Sequence, residues 1–172
     1  MELNFFEEYS QKNSIPLLAR GGGSSQCGQT VGESIVLDYS RHQNKILEVN
    51  LEEKYVWVEP GVVLDHLNAQ LKPHGLWFPV DVSTSSRATI GGMSANNSCG
   101  SRSLYYGNMV HNVLAIEAIL DDGSINTFDH IDKNFLSTKN DQDKLYKIIN
   151  KFFDVKKIVR SELNEHLSLI HI

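Results

Sequence analysis

Several features that would point toward particular classes of protein are scarce or missing in this 172-residue chain. Cys27 and Cys99 are its only cysteines, with no C-x-x-C pair and no metal-type spacing. They read as free thiols of a reducing compartment, with pairing to each other as the alternative. No metal ligand set is expected. Basic residues are in the minority, 16 Lys and Arg against 21 Asp and Glu, for a net charge of −5. No basic stripe stands out, so a nucleic-acid partner is not expected. An anionic ligand remains open, because backbone amides hold phosphates without Lys or Arg. No apolar run approaches the ~18 residues needed to span a bilayer. The opening residues lack a basic region followed by an apolar run, so no signal peptide is read there. The chain is expected to be soluble and cytoplasmic. Internal repeats and low-complexity linkers are absent too, and 41% hydrophobic with 22% charged residues is ordinary for a globular fold. The length suits one domain with a real core or two very small ones.

Residues 5–12 read as the tail of a helix that stops near Asn13 and Ser14. Residues 15–19 form a short apolar run, a buried strand feeding the glycines at 21–23. A second strand is expected over 34–39. Residues 45–50 and 55–59 alternate and flank a turn at 51–54, and residues 113–120 and 124–128 flank Asp121-Asp-Gly, so two hairpins are predicted. Val62, Val63, His66, Leu67 and Leu71 fall at helical spacing, and Pro73 and Gly75 stop that helix. Residues 75–80 are extended and lead into a loop over 81–87. A last helix is predicted over 139–153. Strands with a few helices between them give an α+β class.

The first glycine loop, Arg20-Gly-Gly-Gly-Ser-Ser, follows its strand at once. Glycine allows positive φ and leaves no Cβ in the way of a ligand. Successive amides in such a turn can converge on an anion. Ser24 and Ser25 add hydroxyls, Gln29 an amide, and Arg20 can balance a pyrophosphate or brace the loop. A tight turn without a ligand is the plainer reading. A Walker loop does not fit, because no lysine follows Gly23. A Rossmann fingerprint does not fit either, because the segment leads into a strand and not a helix.

The second loop, residues 83–100, is dense in hydroxyls, amides and small residues. Asp81 and the serines can cap a helix start. A helix beginning near Thr89 would present free amides to an anion, and Gly91 and Gly92 permit close approach. Asn96 and Asn97 offer donors and acceptors of the kind a flat ring edge requires. Ile90, Met93 and Ala95 suggest burial beside something flat, and Tyr105 and Tyr106 read as core packing, with ring stacking as the alternative. The plainer alternative is a polar surface loop. Two such segments in one short chain favour a large dinucleotide over a single phosphate, because buried polar groups need partners.

Taken in order, Pro16-Leu-Leu-Ala-Arg-Gly-Gly-Gly-Ser-Ser, Gly28-Gln-Thr-Val-Gly, Val58-Glu-Pro-Gly, Thr89-Ile-Gly-Gly-Met, Asn96-Asn-Ser-Cys-Gly and Tyr106-Gly resemble the FAD-binding domain of the p-cresol methylhydroxylase and vanillyl-alcohol oxidase type. Within that group the chain is similar to D-lactate, glycolate and D-2-hydroxyglutarate dehydrogenases, above all bacterial forms with an appended iron–sulfur domain. The likeness covers residues 15–130. It implies two small α/β subdomains with FAD between them. The pyrophosphate would rest on Arg20, Gly21, Gly22, Gly23, Ser24 and Ser25, with Gln29 beside them. Ser83, Thr84, Ser85, Thr89, Gly91, Gly92, Asn96 and Gly100 would line the ribityl and isoalloxazine part. Some members of the group attach the flavin through a histidine of the first loop. No histidine lies between Arg20 and Arg41 here, so noncovalent FAD is implied.

The resemblance divides the chain into an FAD-binding domain at 1–140, lacking the family's first strand, and the start of a linker or cap at 141–166. Residues 167–172 read as a non-native tail, or as a strand cut short. Residues that bind a 2-hydroxy acid and take its proton usually come from the cap, so no catalytic residue is assigned. An iron–sulfur cluster would belong to a part following this chain, and a location peripheral to the inner membrane would belong to the full-length protein. The implied function is FAD-dependent oxidation of a 2-hydroxy acid, D-lactate-like, with electrons passed to a cytochrome, quinone or iron–sulfur partner. A noncatalytic FAD-binding subunit and an NADPH-dependent enolpyruvyl reductase of the same fold are the alternatives. His66, His74, His111 and His130 read as solvated or core-satisfied residues, and Cys27 and Cys99 as small packed ones.

Overall fold

The structure, a computed structural model, describes residues 3–130 and 144–166. Helix α1 (Leu3–Asn13) ends as expected, with Ser14 in the left-handed region at φ 52°. Strands β1 (Leu17–Arg20) and β2 (Ile35–Asp38) pair in parallel, with Leu17 opposite Ile35 and Arg20 opposite Asp38. Parallel neighbours need a long crossover, usually a helix. Here the crossover is the irregular stretch 21–34, which carries the first glycine loop. The pair has only two strands, and β1 is half-buried where the apolar run suggested full burial.

Both predicted hairpins form. β3 (Ile46–Asn50) and β4 (Tyr55–Val58) are antiparallel. Asn50 Oδ1 shapes their turn by accepting from the amides of Glu52 and Glu53 at 3.1 and 2.9 Å, and Lys54 closes it at φ 58°. β5 (Ile116–Ile119) and β6 (Ile125–Phe128) meet through Gly123 at φ 78°, whose amide donates to the Leu120 carbonyl at 2.9 Å. The first of these strands begins only at Ile116, later than the apolar run from Val113 suggested.

Helix α2 (Leu64–Leu71) buries Leu64, Leu67 and Leu71, one stripe at i, i+3 and i+7. A 3₁₀ turn (Lys72–His74) containing Pro73, then Gly75 at φ 69°, stops it. Three short helices follow, α3 (Ile90–Ala95), α4 (Ser103–Tyr106) and α5 (Met109–Asn112). The last described helix, α6 (Lys144–His166), runs well beyond Phe153. Residues 139–143 of the predicted last helix and the tail at 167–172 lie outside the described residues.

The core gathers around α2. Val62, Leu64, Leu67, Leu71, Val80, Ala88, Ile90, Met93 and Met109 form one buried cluster, covered from the side by Ile46, Val56 and Val58 of the β3–β4 hairpin. Each fully buried aliphatic side chain stabilises such a core by about 1.5–3 kcal/mol. Ile90 and Met93 therefore face protein and not a flat ligand, and Ala95 is exposed. Core packing of the tyrosine pair is corrected as well, since Tyr105 is 85% exposed. Mixed helices and small sheets make the fold α+β, as the sequence indicates.

Candidate functional site

The first glycine loop leaves β1 with its amides open. Among the described residues, the amides of Gly21, Gly22, Gly23, Ser24 and Ser25 donate to no acceptor, and the hydroxyls of Ser24 and Ser25 make no hydrogen bond. Only Gly23 uses the left-handed region, at φ 62°. The Arg20 side chain folds over it, with Nη2 2.6 Å from where a Cβ on Gly23 would sit. Among the described residues no carboxylate lies within salt-bridge distance of Arg20. Asp38 stands opposite it in the β1–β2 register. The Asp38 carboxyl is held below its ordinary range, chiefly by the Ser40 hydroxyl and then the Ser40 amide, with a smaller contribution from Arg20. Unpartnered amides beside a cation without a carboxylate fit a pyrophosphate.

The second loop reaches the same place differently. Thr89, not Asp81 or a serine, caps α3, its Oγ1 accepting from the Gly92 amide at 3.3 Å. The amides expected to be free at this helix start are taken by the protein itself. Ile90 donates to the Val62 carbonyl at 2.8 Å and Gly91 to the Pro60 carbonyl at 2.9 Å. Leu64 donates in turn to the Ala88 carbonyl at 3.0 Å, and Val63 bridges Thr89 in antiparallel fashion. The segment before α2 therefore holds the segment before α3 as a short strand-like pair. Gly91 lets the Pro60 backbone come close. Asp81 serves elsewhere: its carboxylate accepts from Ser101 Oγ at 2.7 Å and from the Arg102 amide at 3.0 Å. Those two bonds, the hydroxyl first, hold the Asp81 carboxyl below its ordinary range. A Cβ on Gly100 would overlap the Asp81 carbonyl, so Gly100 is a packing glycine.

The two loops meet. A Cβ on Gly21 would overlap Thr89 Oγ1, and one on Gly22 would overlap the Arg87 carbonyl. These contacts bring Arg20, Gly21, Gly22, Gly23, Thr89 and Gly92 into one neighbourhood. No hydrogen bond among the described residues ties Gln29, Ser83, Thr84, Ser85, Asn96 or Gly100 to the first loop. Asn96 is exposed and its side chain makes no hydrogen bond there, whereas Asn97 Oδ1 is engaged by the Val110 amide at 3.0 Å. The carbonyls of Pro60, Val62 and Arg87 were not singled out in sequence, because a carbonyl acceptor carries no residue-type signal. Cys27 and Cys99 are free but exposed, which corrects the packed reading of both. His66, His74, His111 and His130 are exposed. Among the described residues no group of three or more His, Cys, Asp or Glu can hold a metal ion, and no helix is long and apolar enough to cross a membrane.

Comparison with known proteins supports the resemblance. D-2-hydroxyglutarate dehydrogenase of Haemophilus influenzae is 48% identical over 112 residues, 65% of this chain but 11% of that protein. D-lactate dehydrogenase of Archaeoglobus fulgidus is 38% identical over 126 residues, 72% of this chain and 28% of that protein. This chain thus spans only a minor part of the curated relatives it matches. Among solved structures, 6-hydroxy-D-nicotine oxidase of Arthrobacter nicotinovorans superposes with a TM-score of 0.66 at 17% identity, over 74% of this chain and 27% of that one. At that identity the likeness speaks for the fold alone. The sequence pattern of the FAD binding domain matches residues 3–129, well over half the chain, and the chain belongs to that family.

Proposed function

We propose that this chain is the FAD-holding part of a flavin-dependent dehydrogenase of 2-hydroxy acids, and that it binds the cofactor noncovalently. The observation that carries the reading is the run of unpartnered amides at Gly21, Gly22, Gly23, Ser24 and Ser25 beside Arg20. Five unpartnered donors in one short loop, with the Arg20 side chain against Gly23, support a pyrophosphate as the ligand, because successive amides of such a turn can hold an anion. Ser83, Thr84, Ser85 and Asn96 keep side chains with no partner among the described residues. They are the proposed contacts to the remainder of the cofactor, with Gln29 beside the first loop. Gly91 and Gly100 contribute chiefly by letting the Pro60 and Asp81 backbones come close, and Gly92 through its amide's hydrogen bond to Thr89.

The chemistry such a cofactor supplies is acceptance of a hydride from the substrate carbon, with electrons then leaving to a cytochrome, quinone or iron–sulfur centre. The 2-hydroxy acid, D-lactate-like or D-2-hydroxyglutarate-like, is proposed to be bound by sequence outside this chain, and any iron–sulfur cluster to reside there. Titration of the purified chain with FAD tests the cofactor claim, the expected result being bound-flavin bands near ~370 and ~450 nm. A folded sample that leaves all flavin in the filtrate of a spin concentrator would sink it. Because the chain matches so small a share of its relatives, turnover of D-lactate by the isolated chain is expected to be negligible.

A further inference from the structure

We propose that the glycine requirement at positions 21 and 22 is imposed by the second loop and not by the ligand, and that Thr89 is a positioning residue acting through Gly21. This rests on the FAD reading only for the identity of the anion. Gly21 faces Thr89 Oγ1, and the Thr89 Cβ lies 3.3 Å from where a Cβ on Gly21 would stand. Gly22 faces the Arg87 carbonyl, whose carbon lies 2.9 Å from a Cβ built there.

Neither neighbour can give way. Thr89 is 2% exposed and belongs to the strand-like pair with Val63. Its hydroxyl is already committed to the Gly92 amide. On either side, the Ala88 carbonyl and the Ile90 amide are bound to the segment before α2. The Arg87 and Ala88 amides both donate to the Thr84 carbonyl, at 2.8 and 2.7 Å, which fixes the Arg87 peptide. Loop one therefore rests against a surface anchored in the core, while its own amides have no acceptor among the described residues. A seat of this kind fixes the amides before the anion arrives and lowers the ordering cost of binding.

The requirement for absent side chains then divides. At Gly21 and Gly22 it comes from protein backbone and a buried hydroxyl. At Gly23 it comes from the left-handed φ of 62°. An alanine at 21 should push the loop off its seat, and removing Thr89 Oγ1 should let it settle again.

The test is a set of variants of the full chain, read by FAD affinity and by the melting temperature of the FAD-free protein. Gly21→Ala is expected to weaken FAD binding about tenfold or more, the scale on which overpacking a rigid site costs. It should also lower the melting temperature. Adding Thr89→Ala should recover most of both losses, measured against Thr89→Ala alone. Recovery stays incomplete because the residual Cβ at 3.3 Å still needs a few tenths of an ångström of relaxation. Adding Thr89→Ser, which keeps Oγ1, or Thr89→Val, which puts a methyl in its place, should recover neither. A general loss of stability could not produce that pattern. If Gly21→Ala does not fold, refolding of the Gly21→Ala/Thr89→Ala pair is the same rescue. A pair as damaged as Gly21→Ala alone, or equal rescue by serine, overturns the proposal. Failure of the wild-type chain to bind FAD would end the cofactor reading, while the FAD-free melting temperatures would still decide the seat.

Discussion

The two glycine-rich loops look alike as sequence and differ as structure. Each combines adjacent glycines with serines or threonines directly after an extended segment, and each invites the reading of amides aimed at an anion. In the first loop the amides at 21–25 have no acceptor among the described residues. In the second, the amides of Ile90, Gly91 and Gly92 are spent on Val62, Pro60 and Thr89. Glycine thus serves two ends here. One loop leaves its donors without an acceptor among the described residues, and the other lets backbones approach so that the first loop has something to rest on. Composition reports the permission a glycine gives, and the structure reports how it is used.

The strongest way to break this comparison is to fill the second loop. At Gly100 a side chain meets the Asp81 carbonyl, which is backbone and cannot swing aside. Gly100→Val should therefore cost about 3 kcal/mol of stability, the upper end of overpacking effects, and lower the melting temperature by several degrees. FAD affinity should fall with it. A Gly100→Val protein that melts like wild type but no longer binds FAD would mean that the second loop also acts through the ligand, and the contrast between the loops would collapse.

The complementary change falls on the first loop. Gly23 sits at φ 62°, where an L side chain costs roughly 1–2 kcal/mol. The atoms nearest to a Cβ placed there belong to the Arg20 guanidinium, the far end of a flexible side chain. Without FAD the loop can relax, so Gly23→Ala should barely move the melting temperature. FAD binding, which needs the original shape, should weaken about tenfold, since each 1.4 kcal/mol is a factor of ten. Calorimetric melts and a fluorescence titration of the same sample read both quantities. A large loss of stability with unchanged affinity would reverse the assigned roles.

Much of the fold was legible because it is written locally. Asp121-Asp-Gly and the 51–54 segment mark hairpins through turn chemistry, and Pro73 with Gly75 marks a helix stop, each within a few residues of the effect. The positions of the glycine loops were legible for the same reason. Thr89 was visible as a site residue, but its place as helix cap was not, because Asp81 and the serines competed for that role on equal terms. The commitments of the second loop's amides were also hidden. Their acceptors are carbonyls of residues 60 and 62, far away in sequence and carried by every residue type. Exposure was the least legible property. Tyr105 of α4 and Cys99 were expected to pack, yet both are exposed.

The clip that Asp81 forms supplies the smallest and most local test. The Asp81 carboxylate accepts from Ser101 Oγ and the Arg102 amide, and both bonds favour its charged form. Its folded pKa lies below the ordinary value near ~4, so its stabilising effect is present above that pH and lost as pH falls through the folded value. The group is exposed, so the effect on global stability should be slight. The Arg102 amide proton should report it directly, shifting in an NMR titration with a midpoint below the ordinary carboxylate range. Asp81→Asn should abolish that shift while keeping an acceptor at the same place. The amides of the first loop, which touch no part of the clip, should not follow the Asp81 titration. If they do, the loops are coupled through the clip as well as through the Gly21–Thr89 contact, and the division between an open loop and a seating loop needs redrawing.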